Sequence, residues 1–141
     1  PTEPILLALK TAAVAGVDVR IMIPEKSDSR MVHWGTMSYL QELMEAGIKI
    51  YMYQKGFLHS KLIVCDDCLS SVGSTNMDFR SFEHNFEINA FMYDKTSALM
   101  LKDIFLSDQK DAKLLHLKEW RMRPWSQKVK ESVIRLFAPL L

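Results

Sequence analysis

Two periodicities of apolar residues alternate along the first half of the chain. Helical spacing, with apolar side chains at every third or fourth position, runs through residues 2–16 and 31–46. Short apolar or alternating runs at 18–23 and 48–53 are typical of strands. Because helices separate these two strands, a parallel pair with right-handed crossovers is predicted.

The second half of the chain predicts a hairpin. Residues 57–65 are apolar or alternating and indicate a strand, and Asp66-Asp67 has turn chemistry. The chain is then expected to return through 69–72, and a third apolar strand is predicted over 86–93.

Helical patterns resume after the third strand of the hairpin region. Asp94 is a good N-cap for a helix near 95–107, and two shorter helices are predicted at 117–123 and 125–137, whereas 108–115 is polar and predicts no clear element. We therefore expect an α/β fold in which a mixed parallel and antiparallel sheet is covered by helices.

Composition limits the class of protein. The chain has 141 residues, of which 48% are hydrophobic and 25% charged, and its net charge is +1. These values predict one domain with a real core, and no nucleic-acid partner, because general binding to nucleic acid needs a cationic surface. The chain begins at Pro1 inside a helix start, without a signal peptide or an apolar run of membrane-spanning length, so we expect a piece of a longer protein.

The candidate chemistry lies around the hairpin. His59 and Lys61 are two positions apart on the predicted strand, so both face the same way and together suit an anionic phosphate. Ser74 and Asn76 offer a hydroxyl and an amide to phosphate oxygens. Glu87 is expected to accept a hydrogen bond from the imidazole and so to orient it.

Asp66 lies seven positions from His59, which favours the opposite face and a structural role in the turn. Arg80 and Ser81 are candidates for substrate contact or for a salt bridge or cap that bonds the loop. Cys65 and Cys68 form C-x-x-C, but no further cysteine completes a zinc site, so free thiols are favoured over redox or metal use.

His59, Lys61 and Asp66 form H-x-K-x-x-x-x-D, which is followed by Gly73-Ser74-Thr75-Asn76 and by a downstream Glu87. This order resembles the phospholipase D superfamily. Four stretches are also similar to the C-terminal half of bacterial cardiolipin synthases: PTEPILLALKTAAVAGVDVRIMIP, SYLQELMEAGIKIYMYQKGFLHSK, GSTNMDFRSFEHNFEIN and EWRMRPWSQKVKESVIRLFAPLL. The resemblance implies a phospholipase D-like half fold that occupies residues 1–141 as one domain.

The resemblance also implies a reaction. A phosphatidyl group would pass from one phosphatidylglycerol to another through a phospho-histidine, with release of glycerol and without metal or cofactor. The implied catalytic residues are His59, Lys61, Asp66 and Glu87, and the implied phosphate-binding residues are Lys61, Ser74 and Asn76.

One histidine cannot attack phosphorus and protonate the leaving group on its opposite side. The other three histidines carry no second signature, and the resembling family uses two copies of the motif. We therefore expect half an active site, completed either by an N-terminal half with a second motif or by a second copy of this chain.

The C-terminal segment is cationic and amphipathic. Residues 118–135 hold six basic and two acidic side chains, and an apolar stripe is predicted from Trp120, Trp125, Val129, Val133, Leu136 and Phe137. Such a helix is expected to lie on an anionic membrane surface, on its own domain, or on the missing half. The parent protein is expected at the bacterial cell membrane, and this piece is expected to be soluble or peripheral.

Two other functions stay open at this point. One is a homodimeric nuclease or phosphodiesterase of the same superfamily, in which water is the acceptor. The other is a non-catalytic half that completes its partner.

Overall fold

The computed structural model describes residues 1–27 and 29–136. Six helices and six strands occupy these residues: α1 Glu3–Val14, β1 Arg20–Pro24, α2 Arg30–Glu45, β2 Lys49–Tyr53, β3 Leu62–Cys65, β4 Leu69–Gly73, α3 Phe79–Glu83, β5 Asn89–Met92, α4 Lys95–Gln109, β6 Ala112–Leu114, α5 Leu117–Arg121 and α6 Trp125–Leu136. None of the helices in this described part of the chain has the length and apolar character needed to cross a bilayer.

The first sheet has the strand order β1-β2-β6. Strands β1 and β2 pair in parallel, from Arg20 opposite Lys49 to Pro24 opposite Tyr53, so the predicted parallel pair is confirmed. Strand β6 pairs antiparallel with β2 and makes the sheet mixed. This strand was not predicted, because three residues in a polar stretch give no periodic signal.

The hairpin strands form a second, antiparallel sheet with the order β3-β4-β5. Asp66 and Asp67 have φ angles of 49° and 57°, so the predicted turn is confirmed. Two left-handed residues in a row match the twist of a tight hairpin, and aspartate tolerates this conformation better than most residues. The backbone N–H of Cys68 closes the turn on the Cys65 carbonyl at 3.2 Å.

Two strands of the hairpin region are shorter than predicted. Strand β3 begins at Leu62 instead of residue 57, because β4 ends at Gly73 and the chain beyond Ser74 turns away. His59 therefore has no strand opposite it within the described residues. The strand predicted over 86–93 is confined to 89–92, which leaves Glu87 on the loop before it.

The core lies between α2 and the first sheet. Helix α2 buries Met37, Leu40, Leu43 and Met44 at helical spacing, as predicted. These side chains pack with Leu6, Ile48, Ile50 and Trp120. Leu40 and Ile50 are fully buried, and burial of such a side chain contributes about 2 kcal/mol of stability.

Helix α6 is held through charged side chains to the loop before it and to α2. Both carboxylate oxygens of Glu131 accept hydrogen bonds from Arg123, at 2.6 and 3.1 Å. Arg135 donates to both oxygens of Glu42, at 3.2 Å each.

Trp120, which we predicted for the apolar stripe of this segment, is instead buried in the core, because it lies on α5 before the chain bends at Pro124. Phe137 of that stripe lies outside the described residues.

We expect Glu131→Gln to destabilise the protein by about 3 kcal/mol, because it leaves the Arg123 charge without its counterion in a place that water reaches poorly. The exposed fractions of the two side chains are 16% for Arg123 and 9% for Glu131. Urea denaturation measures the change in the free energy of unfolding. Asp111→Asn is the matched control, because its partner Lys55 is 68% exposed, and we expect it to cost less than about 1 kcal/mol. Equal losses from the two variants would contradict the buried character of the Arg123–Glu131 pair.

Candidate active site

Ser74 and Glu87 meet where β4 ends and β5 begins. Gly73 pairs with Asn89, so the next residue along β4, Ser74, lies opposite Ile88. The Ser74 backbone N–H donates to the Ile88 carbonyl at 2.9 Å, and the Ile88 N–H donates to the Ser74 hydroxyl oxygen at 3.0 Å. This double contact aims the Ser74 hydroxyl at Glu87, to which it donates a hydrogen bond.

The second oxygen of the Glu87 carboxylate accepts hydrogen bonds from Ser81 at 3.1 Å and from Asn85 at 3.4 Å. Ser81 is buried on α3, where its backbone N–H donates to the N-cap Asp78 at 2.8 Å. Its hydroxyl oxygen also accepts from the Asn76 backbone N–H at 3.3 Å. Of the two roles expected for Ser81, the structure therefore shows the one that bonds the loop.

These contacts lower the pKa of Glu87. The hydrogen bond from Ser74 lowers the pKa of the Glu87 carboxyl most; partial burial, the next largest effect, raises it, and the hydrogen bonds from Ser81 and Asn85 together with the nearby Lys61 charge lower it further. Glu87 is therefore an ionised carboxylate at neutral pH. Because a hydroxyl has a single proton, Ser74 cannot donate to Glu87 and to a phosphate oxygen at the same time.

His59 and Lys61 lie on the segment that leads into β3. The Gly73 backbone N–H donates to the Lys61 carbonyl at 3.2 Å, which extends the pairing of β3 and β4 by one residue. The Lys61 ammonium group turns back and donates to the His59 carbonyl at 2.8 Å. The His59 imidazole is exposed and stacks on Phe57, with 5.5 Å between ring centroids and an interplanar angle of 15°.

The predicted site residues thus divide into three groups. Lys61, Ser74 and Glu87 share one end of the hairpin, and the Asn76 backbone is joined to Glu87 through Ser81. The His59 ring lies on the approach to this end, open to solvent. Asp66 lies in the turn at the other end of β3, in keeping with the structural role expected for it. Sequence reasoning gave no role to Asn85, because contacts within a loop leave no periodic signal.

Gly73 is required by the close approach of β5. A Cβ atom on Gly73 would lie 1.7 Å from the Asn89 side-chain oxygen and 2.3 Å from the Ile88 carbonyl oxygen. The Asn89 side chain is itself fixed, because its amide nitrogen donates to the Thr75 hydroxyl at 2.7 Å. Only glycine therefore lets Ser74 approach Glu87 in this way.

The two cysteines of C-x-x-C lie on either side of the turn, and both are free and exposed. Burial raises the pKa of the Cys65 thiol, and the Asp66 carboxylate and Cys68 raise it further. The thiolate is the form that binds metals and exchanges disulfides, so these surroundings disfavour both uses.

The arrangement of helices and strands defines the chain as a phospholipase D-like domain. Two solved structures share the fold. One is a phospholipase D family member, Nuc from Salmonella typhimurium, with a TM-score of 0.70 and 23% identity over 82% of this chain and 75% of that chain. The other is a phosphatidylserine synthase from Haemophilus influenzae Rd KW20, with a TM-score of 0.74 and 15% identity over 99% of this chain and 39% of that chain.

The sequence identifies the family within this class. The family described as "Cardiolipin synthase, PLD-like domain" matches residues 1–109, and the chain belongs to it. A cardiolipin synthase from Geobacillus kaustophilus is 49% identical over all 141 residues, which span 28% of its length. A cardiolipin synthase 1 from Staphylococcus epidermidis is 48% identical, and there the chain spans 29% of the length. The chain thus covers somewhat more than a quarter of these relatives.

Gly73→Ala should destabilise the protein by roughly 1–3 kcal/mol, since the added methyl group collides with Asn89 and Ile88. The free energy of unfolding in urea measures the effect. Gly56→Ala is the control, because nothing lies within 4 Å of its Cβ position, and we expect no loss there. A Gly73→Ala protein as stable as the Gly56→Ala protein would show that β5 does not approach β4 this closely.

Ser74→Ala should raise the pKa of Glu87 towards that of an ordinary glutamate, since Ser74 is the largest cause of the lowering. A carbon-13 NMR titration of the Glu87 carboxyl reads this pKa, with Ser107→Ala as a control. The pKa is depressed in the folded state, so the bond stabilises the protein above the unfolded pKa of about 4.3. This contribution is lost as the pH falls through the lower folded pKa. A Glu87 pKa that is the same in both variants would refute the assignment.

Proposed function

We propose that residues 1–141 form one phospholipase D-like domain and supply the C-terminal half of the active site of a cardiolipin synthase. The reaction is the transfer of a phosphatidyl group from one phosphatidylglycerol to another, with release of glycerol. The observation that carries this proposal is the end of the hairpin where Lys61 and the Ser74–Glu87 pair meet, beside an exposed His59. The proposal also draws on relatives with 49% identity whose name is cardiolipin synthase.

In the proposed first step, a neutral imidazole nitrogen attacks phosphorus. A neutral nucleophile avoids the repulsion that an anion meets at an anionic phosphodiester. The nitrogen–phosphorus bond forms as the bond from phosphorus to the glycerol oxygen breaks, and that oxygen leaves with a proton from a general acid. In the second step, the deprotonated general acid takes the proton from the primary hydroxyl of another phosphatidylglycerol, whose oxygen bonds to phosphorus as the nitrogen–phosphorus bond breaks and the histidine is released.

The other side chains have supporting roles in this proposal. The Lys61 ammonium and the Asn76 amide stabilise the charge on the phosphoryl oxygens. Ser74 assists them when it exchanges its bond to Glu87 for one to phosphate. The ionised Glu87, whose hydrogen bonds keep its pKa low, orients a histidine and stabilises the positive imidazole ring. Asp66 fixes the turn and does not touch substrate.

A second half of the site is part of the proposal, because one histidine cannot serve as both nucleophile and acid on opposite sides of phosphorus. Apolar side chains next to the candidate residues are open in this chain: Phe57, Phe86 and Ile88 are all well exposed. Such a cluster needs a cover. We infer that the remaining length of the protein supplies it, together with a second motif, and a second copy of this chain is the alternative. The expected partners are phosphatidylglycerol and an anionic membrane surface, without nucleic acid.

Replacement of His59 by Asn in the full-length protein should lower cardiolipin formation by about a thousandfold or more, since the reaction then loses its nucleophile or its general acid. Thin-layer separation of products from labelled phosphatidylglycerol measures this. His116→Asn is the matched control, because His116 precedes α5, away from the hairpin, and we expect it to keep full activity.

Three outcomes would change the proposal. Unchanged turnover in the His59→Asn protein would support a non-catalytic half. Cleavage of single-stranded DNA without cardiolipin formation would support a nuclease. Phosphatidic acid as the sole product of the wild-type protein would indicate a hydrolase that uses water as the acceptor.

A further inference from the structure

Helix α6 presents its apolar stripe to solvent. Trp125, Val129, Val133 and Leu136 follow one another at intervals of four, four and three residues, so they lie on one side of the helix. All four are exposed, and the end residues Trp125 and Leu136 keep 78% and 79% of their surface open. Met122, just before the helix, is 71% exposed and adds to the same apolar surface.

The opposite side of α6 is the side that faces the protein. It carries Glu131, which is buried and paired with Arg123, and Arg135, which is paired with Glu42 of α2. A helix on the surface of a globular protein ordinarily turns its apolar stripe towards the core. Helix α6 has the reverse orientation, which its ion pairs to Glu42 of α2 and to Arg123 of the loop after α5 hold in place, so its apolar surface requires some other cover.

The residues beside the stripe are cationic. Lys128 borders one edge of it, and Lys130 lies towards the other, with its ammonium 5.8 Å from the centre of the Trp34 ring. Neither lysine forms a salt bridge within residues 1–27 and 29–136, and the Lys128 ammonium donates a hydrogen bond to the Arg121 carbonyl at 2.6 Å. A cleft of about 240 Å³ runs between α6 and α2 on the Lys128 side, and Arg123, Lys128 and Arg135 are among the residues that line it.

The combination of an exposed apolar stripe with neighbouring lysines helps to decide whether a protein or a lipid surface covers α6. Lysine is depleted in the buried parts of protein–protein interfaces. Helices that lie in the plane of a membrane surface combine a strongly amphipathic pattern with lysine or arginine on the polar side and tryptophan on the apolar side. Each cation near an anionic bilayer also adds a favourable electrostatic contribution. Trp125 suits either kind of cover, because tryptophan is also enriched in protein interfaces, and the lysines of α6 therefore favour a lipid surface over a protein surface.

We propose that α6 docks the protein on anionic bilayers, with Trp125, Val129, Val133 and Leu136 inserted at the boundary between headgroups and acyl chains. The lysines along the stripe then contact lipid phosphates. The geometry of α6 carries this inference, and only the choice of a phosphatidylglycerol-containing membrane rests on the proposed function. Docking at α6 does not require His59 chemistry, so the two can fail separately.

Site-resolved fluorescence in the full-length His59→Asn protein tests the docking without dependence on catalysis. A cysteine at position 129, in a background with the native cysteines replaced by serine, carries an environment-sensitive NBD label. On vesicles of phosphatidylglycerol and phosphatidylcholine we expect its emission to shift to the blue and to be quenched by doxyl-labelled lipids. The same label at Val14, which is 77% exposed at the end of α1, should show neither change. A blue shift without lipid quenching would mean that protein covers α6, and no shift at all would mean that the stripe stays in water; either result overturns the proposal.

A matched pair of charge variants provides the second measurement. Val133→Glu places a carboxylate within the stripe, whereas Gln127→Glu adds the same charge on the same helix at an exposed position outside it. We expect Val133→Glu to weaken the affinity for vesicles about tenfold, as measured by lipid quenching of the label at position 129 in vesicle titrations. We expect Gln127→Glu to weaken this affinity much less. Equal effects of the two variants would reduce the docking to general electrostatic attraction and would refute insertion of the stripe.

Discussion

The hydrogen bond from Ser74 to Glu87 joins the end of β4 to the loop before β5, and the candidate site depends on it. It forms because Gly73 allows β5 to approach β4 closely, which places Ser74 opposite Ile88. The carboxylate that it fixes then gathers further donors from α3 and from the loop after it. A short hairpin thereby controls the conformation of a longer and otherwise irregular segment. The positive charge of Lys61 beside this carboxylate follows from the same register.

Much of this architecture could be predicted from periodicity and turn chemistry, because both are local. The apolar stripe that includes Leu40 predicted α2 and its buried face, and the Asp66-Asp67 pair predicted the hairpin turn. The start of β3 at Leu62 could not be predicted, since a strand extends only as far as its partner, and the partner's end is set elsewhere in the chain. The contact between Ser81 and Glu87 was equally inaccessible, because it depends on loop conformation.

Helix α6 shows a different kind of failure. Its sequence pattern correctly indicated an amphipathic helix with cationic and apolar sides. An amphipathic pattern predicts that a helix has an apolar side and a polar side, but it does not predict which side packs against the protein. Here the buried Arg123–Glu131 pair decides the orientation, and no pattern in the sequence reveals that two charges eight residues apart share a partly buried site. The same limit applies to Phe57, Phe86 and Ile88, whose exposure the sequence pattern did not indicate.

The ion pairs of α6 have a mechanical consequence. Helix α2 supplies half of the hydrophobic core, so it cannot rotate without disturbing the first sheet. Helix α6 is bound to α2 through Arg135 and to the loop after α5 through Glu131, so it moves with that core as one rigid piece. Any flat surface that receives α6 therefore fixes the tilt of the whole domain and the height of its hairpin above that surface. The distance between that surface and the candidate site would then be fixed, because no flexible segment separates α6 from the rest of the domain.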